Sequence, residues 1–143
     1  MALTNFVLIL LFAFVVAEAE DTIFSGEKLL TNQCIENGMY KFIVQGDCNL
    51  VLYVKQDNQD KAIWASKTAG HGDTCNLLLQ NNGNLVLFSG SDVVWSSGSA
   101  RGPNSYRLVL QGDGNLVLYG GATWATNTVQ SSKNKVDIVS PLA

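Results

Sequence analysis

At 143 residues the chain has room for a single domain, and nine basic against twelve acidic side chains, a net charge of −3, leave no basic stripe to neutralise nucleic-acid phosphates. One histidine, three cysteines without zinc spacing, and no Asp-rich loop closed by a Glu argue against a metal centre, and neither metal nor cofactor is expected. His71, in the turn Ala69-Gly70-His71-Gly72-Asp73, has no nucleophile placed beside it by an elbow or triad pattern, so an enzyme is not expected either.

In chain order, the first element is an apolar run from Met1 to Val16, polar only at Thr4 and Asn5, followed by the small residues of Ala17-Glu18-Ala19. Residues 1–19 read as a secretory signal peptide cut after Ala19 or Glu20, even though Lys and Arg are missing from its start. The run is too short for a comfortable transmembrane helix and acidic residues follow it, so an N-terminal anchor or a buried helix is the lesser alternative and no membrane insertion is expected. The product is then expected in the secretory pathway.

From residue 20 onward no stretch sustains the i, i+3, i+4 spacing of a helix, whereas short alternating runs bounded by Gly, Asn and Asp recur. The chain is all-β over residues 20–128. One phrase is written three times: Gln45-Gly46-Asp47-Cys48-Asn49-Leu50-Val51-Leu52-Tyr53, Gln80-Asn81-Asn82-Gly83-Asn84-Leu85-Val86-Leu87-Phe88 and Gln111-Gly112-Asp113-Gly114-Asn115-Leu116-Val117-Leu118-Tyr119. Each copy follows an apolar run, Tyr40 to Val44, Asn76 to Leu79 or Tyr106 to Leu110, which makes a hairpin with its turn at the Asp or Asn. A Trp follows each: Ile63-Trp64-Ala65-Ser66, Val94-Trp95-Ser96-Ser97 and Thr123-Trp124-Ala125-Thr126.

In the return strand a period of two puts Asn49, Val51 and Tyr53 on one face and Leu50 and Leu52 on the other. Such a repeat cannot bury its own apolar face, so the paired leucines of all copies are expected to meet in one core of approximate threefold symmetry, with Trp64, Trp95 and Trp124 as its large fillers. The opposite face, with Gln, Asn and Tyr, points outward or into a shallow groove. A hexose needs hydroxyl partners that donate and accept, plus a small apolar contact, and Gln45, Asp47, Asn49, Val51 and Tyr53 supply both. Turn chemistry alone accounts for the Asp, Asn and Gly, but not for Gln, Val and Tyr together.

The pattern Gln-x-Asp-x-Asn-x-Val-x-Tyr, three times in a secreted all-β chain with Trp-Ala-Ser or a variant after each copy, resembles the bulb-type mannose-binding lectins of monocot plants. The resemblance runs from about Asp21 to Thr128 and includes Ile23-Phe24-Ser25-Gly26-Glu27. It implies a β-prism II fold, three four-stranded antiparallel sheets around a pseudo-threefold axis, with one metal-independent sugar site per sheet. It further implies that Asp47 and Asn49 hold the axial 2-hydroxyl of mannose, Gln45 the 3-hydroxyl and Tyr53 the 4-hydroxyl, while Val51 packs on ring carbons. The same roles carry to Gln111, Asp113, Asn115, Val117 and Tyr119.

In the middle copy, Gln80, Asn82, Asn84, Val86 and Phe88, an amide replaces the carboxylate and the phenol is missing. Hydrogen bonds to charged groups contribute about 1.5–3 kcal/mol and neutral ones about 0.5–1.5, so this site is expected to be weak or silent for mannose. Spacing permits any pairing of the three cysteines; the resemblance implies Cys48 with Cys75. Cys34 is left over, either a small buried hydrophobe or half of an interchain disulfide. Asp47 and Asp113 as a glycosidase pair are disfavoured, because equivalent positions in different repeats stand far apart.

Residues 129–143 leave the repeat pattern. Val136-Asp137-Ile138-Val139 resembles the sorting stretch of a removable C-terminal propeptide; the alternative is a tail that stays attached. The segment from Thr123 to Thr128 is a candidate for strand exchange in a homodimer or homotetramer. The expected partners are α-D-mannose and mannose-rich glycans, in plant defence. The competing reading is a storage or taste-modifying protein that keeps the scaffold without the sites.

Overall fold

The computed structural model describes residues 20–120 and 124–130. The expected signal peptide at residues 1–19, the tail beyond residue 130 and Thr123 of the candidate strand-exchange segment lie outside the described residues.

Twelve short strands form three antiparallel four-stranded sheets, the β-prism II arrangement. They are β1 (Thr22–Phe24), β2 (Lys28–Leu29), β3 (Cys34–Asn37), β4 (Tyr40–Val44), β5 (Leu50–Val54), β6 (Lys61–Ala65), β7 (Cys75–Leu79), β8 (Leu85–Ser89), β9 (Asp92–Ser96), β10 (Arg107–Leu110), β11 (Leu116–Tyr119) and β12 (Trp124–Ala125). Each repeat contributes a hairpin and its Trp strand to one sheet. The fourth strand comes from elsewhere: the N-terminal segment passes all three sheets in turn, adding β1 to the third repeat, β2 to the second and β3 to the first.

The register explains why. Across the inner faces run three matching rows: Ile23–Leu108–Leu118–Trp124, Leu29–Leu77–Leu87–Trp95 and Ile35–Phe42–Leu52–Trp64. Ile23, Leu29 and Ile35 each close the apolar end of a row and are buried there. The leucines of all three copies are wholly buried, as their alternation requires. The indoles behave differently from the expected interior fillers. They are half-buried and pack edge-to-face on one another, with ring centroids 5.7–5.8 Å apart and interplanar angles of 74–78°.

A second cyclic contact joins each turn to the next repeat. A Cβ at Gly83 would come within 2.7 Å of the Tyr106 ring, and one at Gly114 within 2.7 Å of the Tyr40 ring. At the third such place the pair is Cys48 and Cys75, joined by a disulfide with a Cα–Cα distance of 5.3 Å. The bond thus stands where the other two turns have a glycine under a tyrosine. Cys34 carries a free thiol and is exposed, not buried.

Candidate functional site

Each candidate site begins at a turn of the same construction. The Gln45 carbonyl accepts from the Cys48 N–H (3.0 Å) and the Gln45 N–H donates to the Asn49 carbonyl (2.9 Å), a pattern repeated at Gln80 and Gln111. The third loop residue needs a positive φ, 69° at Cys48, 85° at Gly83 and 84° at Gly114. Within the turn, one side-chain oxygen of Asp47, Asn82 or Asp113 accepts the N–H two residues on, at 2.9 Å in every copy. That leaves one atom free. At Asp47 and Asp113 it is a carboxylate oxygen, an acceptor; at Asn82 it is an amide NH2, a donor.

The motif Asn is likewise half committed to the fold. Asn49 Oδ1 accepts from Ser66 Oγ (3.2 Å) and the Thr68 N–H (3.2 Å). Asn84 Oδ1 does the same for Ser97 (3.3 Å) and Ser99 (3.3 Å), and Asn115 Oδ1 for Thr126 (3.3 Å) and Thr128 (3.3 Å). The second hydroxyl of each loop, Thr68, Ser99 or Thr128, also donates to the turn carbonyl of Cys48, Gly83 or Gly114. Sequence reading noticed the first hydroxyl after each Trp but not its partner two residues later, although Ser66/Thr68, Ser97/Ser99 and Thr126/Thr128 recur at one spacing. Locking Oδ1 fixes the amide and leaves Nδ2 without a hydrogen-bond partner among the described residues.

At the far end of the motif the Gln45 amide donates to the Tyr53 hydroxyl at 2.5 Å, and the Gln111 amide donates to the Tyr119 hydroxyl. These bonds span the hairpin and hold the phenol, leaving its proton to donate outward. In the middle copy Phe88 stands where the others have the tyrosine, so Gln80 has no phenol to bond and its amide makes no side-chain hydrogen bond among the described residues. Val51, Val86 and Val117 lie between, at 3–4 % exposure, so they form a floor with little free apolar area. Their cross-strand neighbours explain it: Ile43 and Ala65 flank Val51, and Val109 and Ala125 flank Val117.

The structure therefore brings Gln45, Asp47, Asn49, Val51 and Tyr53 together on the first sheet, and Gln111, Asp113, Asn115, Val117 and Tyr119 on the third. Next to the latter, Phe24, Ser105, Arg107, Tyr119 and Gly120 line a depression of about 320 Å³, and the Arg107 guanidinium lies 5.5 Å from the Tyr119 ring centre. Among the described residues no group of three or more His, Cys, Asp or Glu side chains is placed to hold a metal ion. The arrangement offers one carboxylate oxygen, one fixed amide, one phenol and a small apolar floor, a donor-and-acceptor set suited to a polyhydroxylated ring.

Known proteins share this fold. A monomeric monocot mannose-binding lectin from Gastrodia elata superposes with a TM-score of 0.70 at 41% identity, covering 77% of this chain and 99% of that one. The snowdrop (Galanthus nivalis) lectin complexed with methyl-α-D-mannoside gives 0.67 at 39% identity, covering 78% and 100%. The mannose-specific lectin of Narcissus pseudonarcissus is 46% identical over 70 residues, 49% of this chain and 61% of that protein, so the match spans less than two thirds of that relative's length. Curculin-2 of Molineria latifolia is 36% identical over 76 residues. No protein-family model matches the chain.

The mannose-binding relatives are lectins, a non-enzymatic class, and they share this three-sheet prism. The chain belongs to the monocot, bulb-type mannose-binding lectin family.

Proposed function

We infer that this chain is a metal-independent lectin that binds α-D-mannose at the first and third sheets and only weakly, if at all, at the middle one. A single observation carries this reading: Asp47 and Asp113 keep a carboxylate oxygen free after serving their turns, beside a fixed Asn amide and a Gln–Tyr pair. The axial 2-hydroxyl of mannose would donate to that oxygen and accept from Asn Nδ2, while Gln and Tyr engage the 3- and 4-hydroxyls. Glucose, with an equatorial 2-hydroxyl, loses the first contact.

Each hydrogen bond here exchanges with water, so one mannose is expected to bind near millimolar, about −4 kcal/mol. Two sites per chain, doubled or quadrupled by oligomerisation, would engage branched high-mannose glycans with an avidity gain of about 10²–10⁴. A secreted or vacuolar defence protein fits that chemistry. The decisive test is retention of the folded protein on immobilised mannose in the presence of a chelator, followed by elution with methyl α-mannoside. Flow-through of folded protein would overturn the reading.

One observation favours a second reading. The Asp, Asn and hydroxyl groups each spend one polar atom on the fold, so the motif also has value as scaffold. On that reading the protein serves storage or taste modification, and Asp47→Asn would change nothing but charge.

A further inference from the structure

The middle face has lost mannose chemistry without becoming inert. Its free atoms have changed sign. Asn82 keeps the turn bond through Oδ1 and presents an NH2 where its sisters present a carboxylate oxygen. Asn84 also presents its NH2, because its Oδ1 accepts from Ser96 (3.0 Å), Ser97 and Ser99. Gln80, freed from a phenol partner, adds a third amide.

The register supplies a cation to the same face. The outer row of the middle sheet runs Lys28–Leu78–Val86–Ser96, where the others run Cys34–Ile43–Val51–Ala65 and Thr22–Val109–Val117–Ala125. Lys28 therefore starts two strands, about 10 Å, from the floor valine, within reach of a ligand seated there. It is exposed and makes no ion pair among the described residues, where the pair found is Lys55–Glu36. Glu27, its neighbour in sequence, is occupied by the Phe24 N–H at 2.8 Å. Asp92 pairs with Ser89, a row that faces away from Phe88. On the Lys28 side of Phe88, Lys28, Asn76, Leu78, Phe88, Gly90 and Ser91 line an open depression of about 250 Å³, whose lining does not include the three motif amides, so a ligand reaching both would lie across Phe88.

We propose that the middle site binds an acidic sugar, a hexuronic acid residue of a glycan, with its carboxylate directed to Lys28 and the motif amides and its C–H face on Phe88. The Asn82 and Asn84 NH2 groups and the Lys28 ammonium, all donors, favour a ligand rich in acceptors, and a carboxylate offers no proton that the missing Asp would need to take. The Phe88 ring supplies the apolar contact that the buried floor valine does not.

This inference is independent of mannose binding on the other sheets. The test is NMR titration of the intact folded protein with D-glucuronate, methyl α-glucoside, N-acetylglucosamine and methyl α-mannoside, following side-chain amides. Glucuronate should saturate shifts at Asn82, Asn84 and Gln80, about tenfold more tightly than methyl glucoside, and should weaken in high salt. Lys28→Gln should lose about that tenfold while mannoside shifts at Gln45 and Gln111 persist. Asn82→Asp, which retains the turn acceptor, should abolish the glucuronate response. Equal response at those amides to glucuronate and any of the three neutral sugars, an unchanged response in Lys28→Gln, or no glucuronate shift at those amides overturns the proposal. Absence of mannoside shifts at Gln45 and Gln111 instead overturns the mannose reading alone.

Discussion

The middle sheet and the third sheet share a skeleton bond for bond, yet offer a ligand different atoms. Both have the Gln-to-carbonyl turn, the side-chain oxygen accepting the N–H two residues on, and the Asn oxygen gripping two loop groups. They part at the second atom of residue 82 or 113 and at the para position of residue 88 or 119. The side chain at residue 82 or 113 is bifunctional, with one atom serving the turn and the other left free. A substitution that preserves the inner atom can therefore change ligand chemistry at almost no structural cost.

The comparison can be broken at several levels. The largest effect should come from the bond that ties the first turn to the middle sheet. Replacing Cys48 and Cys75 with Ser should cost about 3–4 kcal/mol for their 27-residue separation, read by urea unfolding. Cys48→Gly with Cys75→Tyr, which copies the packing of the other two turns, should recover part of that; no recovery would mean the glycine–tyrosine contact is not an equivalent joint.

Next comes the exchange of sites. Asp47→Asn with Tyr53→Phe should weaken mannose binding on the first sheet by roughly tenfold to several hundredfold, with the melting temperature almost unchanged. The converse pair, Asn82→Asp with Phe88→Tyr, should raise the calorimetric stoichiometry for methyl mannoside from two to three per chain. A stoichiometry still at two would show that the other groups around Phe88 matter more than these atoms.

Asn49→Ala, Asn84→Ala and Asn115→Ala should each cost about 1–3 kcal/mol, since each leaves a hydroxyl and a buried N–H without an acceptor. Only the first and last should also lose mannose binding. Smallest of all, Gly98→Asn should stay within about 0.5 kcal/mol. Gly98 has φ 65°, and Asn127 holds the matching position at 55°.

The hairpins and Trp strands were legible because each pairing lies within one repeat and carries its own turn signal. The N-terminal strands were not. β1 and β2 are three and two residues long, and their partners β10 and β7 belong to other repeats. The only trace they leave in the sequence is Ile23, Leu29 and Ile35 at intervals of six. At the sites the motif located the residues but not their division of labour, since nothing in a one-letter string says which oxygen of Asp47 faces inward. The exposed position of Cys34 follows from the same blind spot: as the outer-row partner of Ile43, it sits on the face that Ile35 leaves.

The threading of the first strands also sets a timetable. Thr22 pairs with Val109, so during synthesis β1 waits for 87 further residues before its partner exists. At about 5–20 residues per second that is roughly 4–17 s. Through that interval Ile23 has no row to close, whereas Ile35 meets Phe42 almost at once. The first three strands are therefore paired in the reverse of the order in which they are made, β3 first and β1 last.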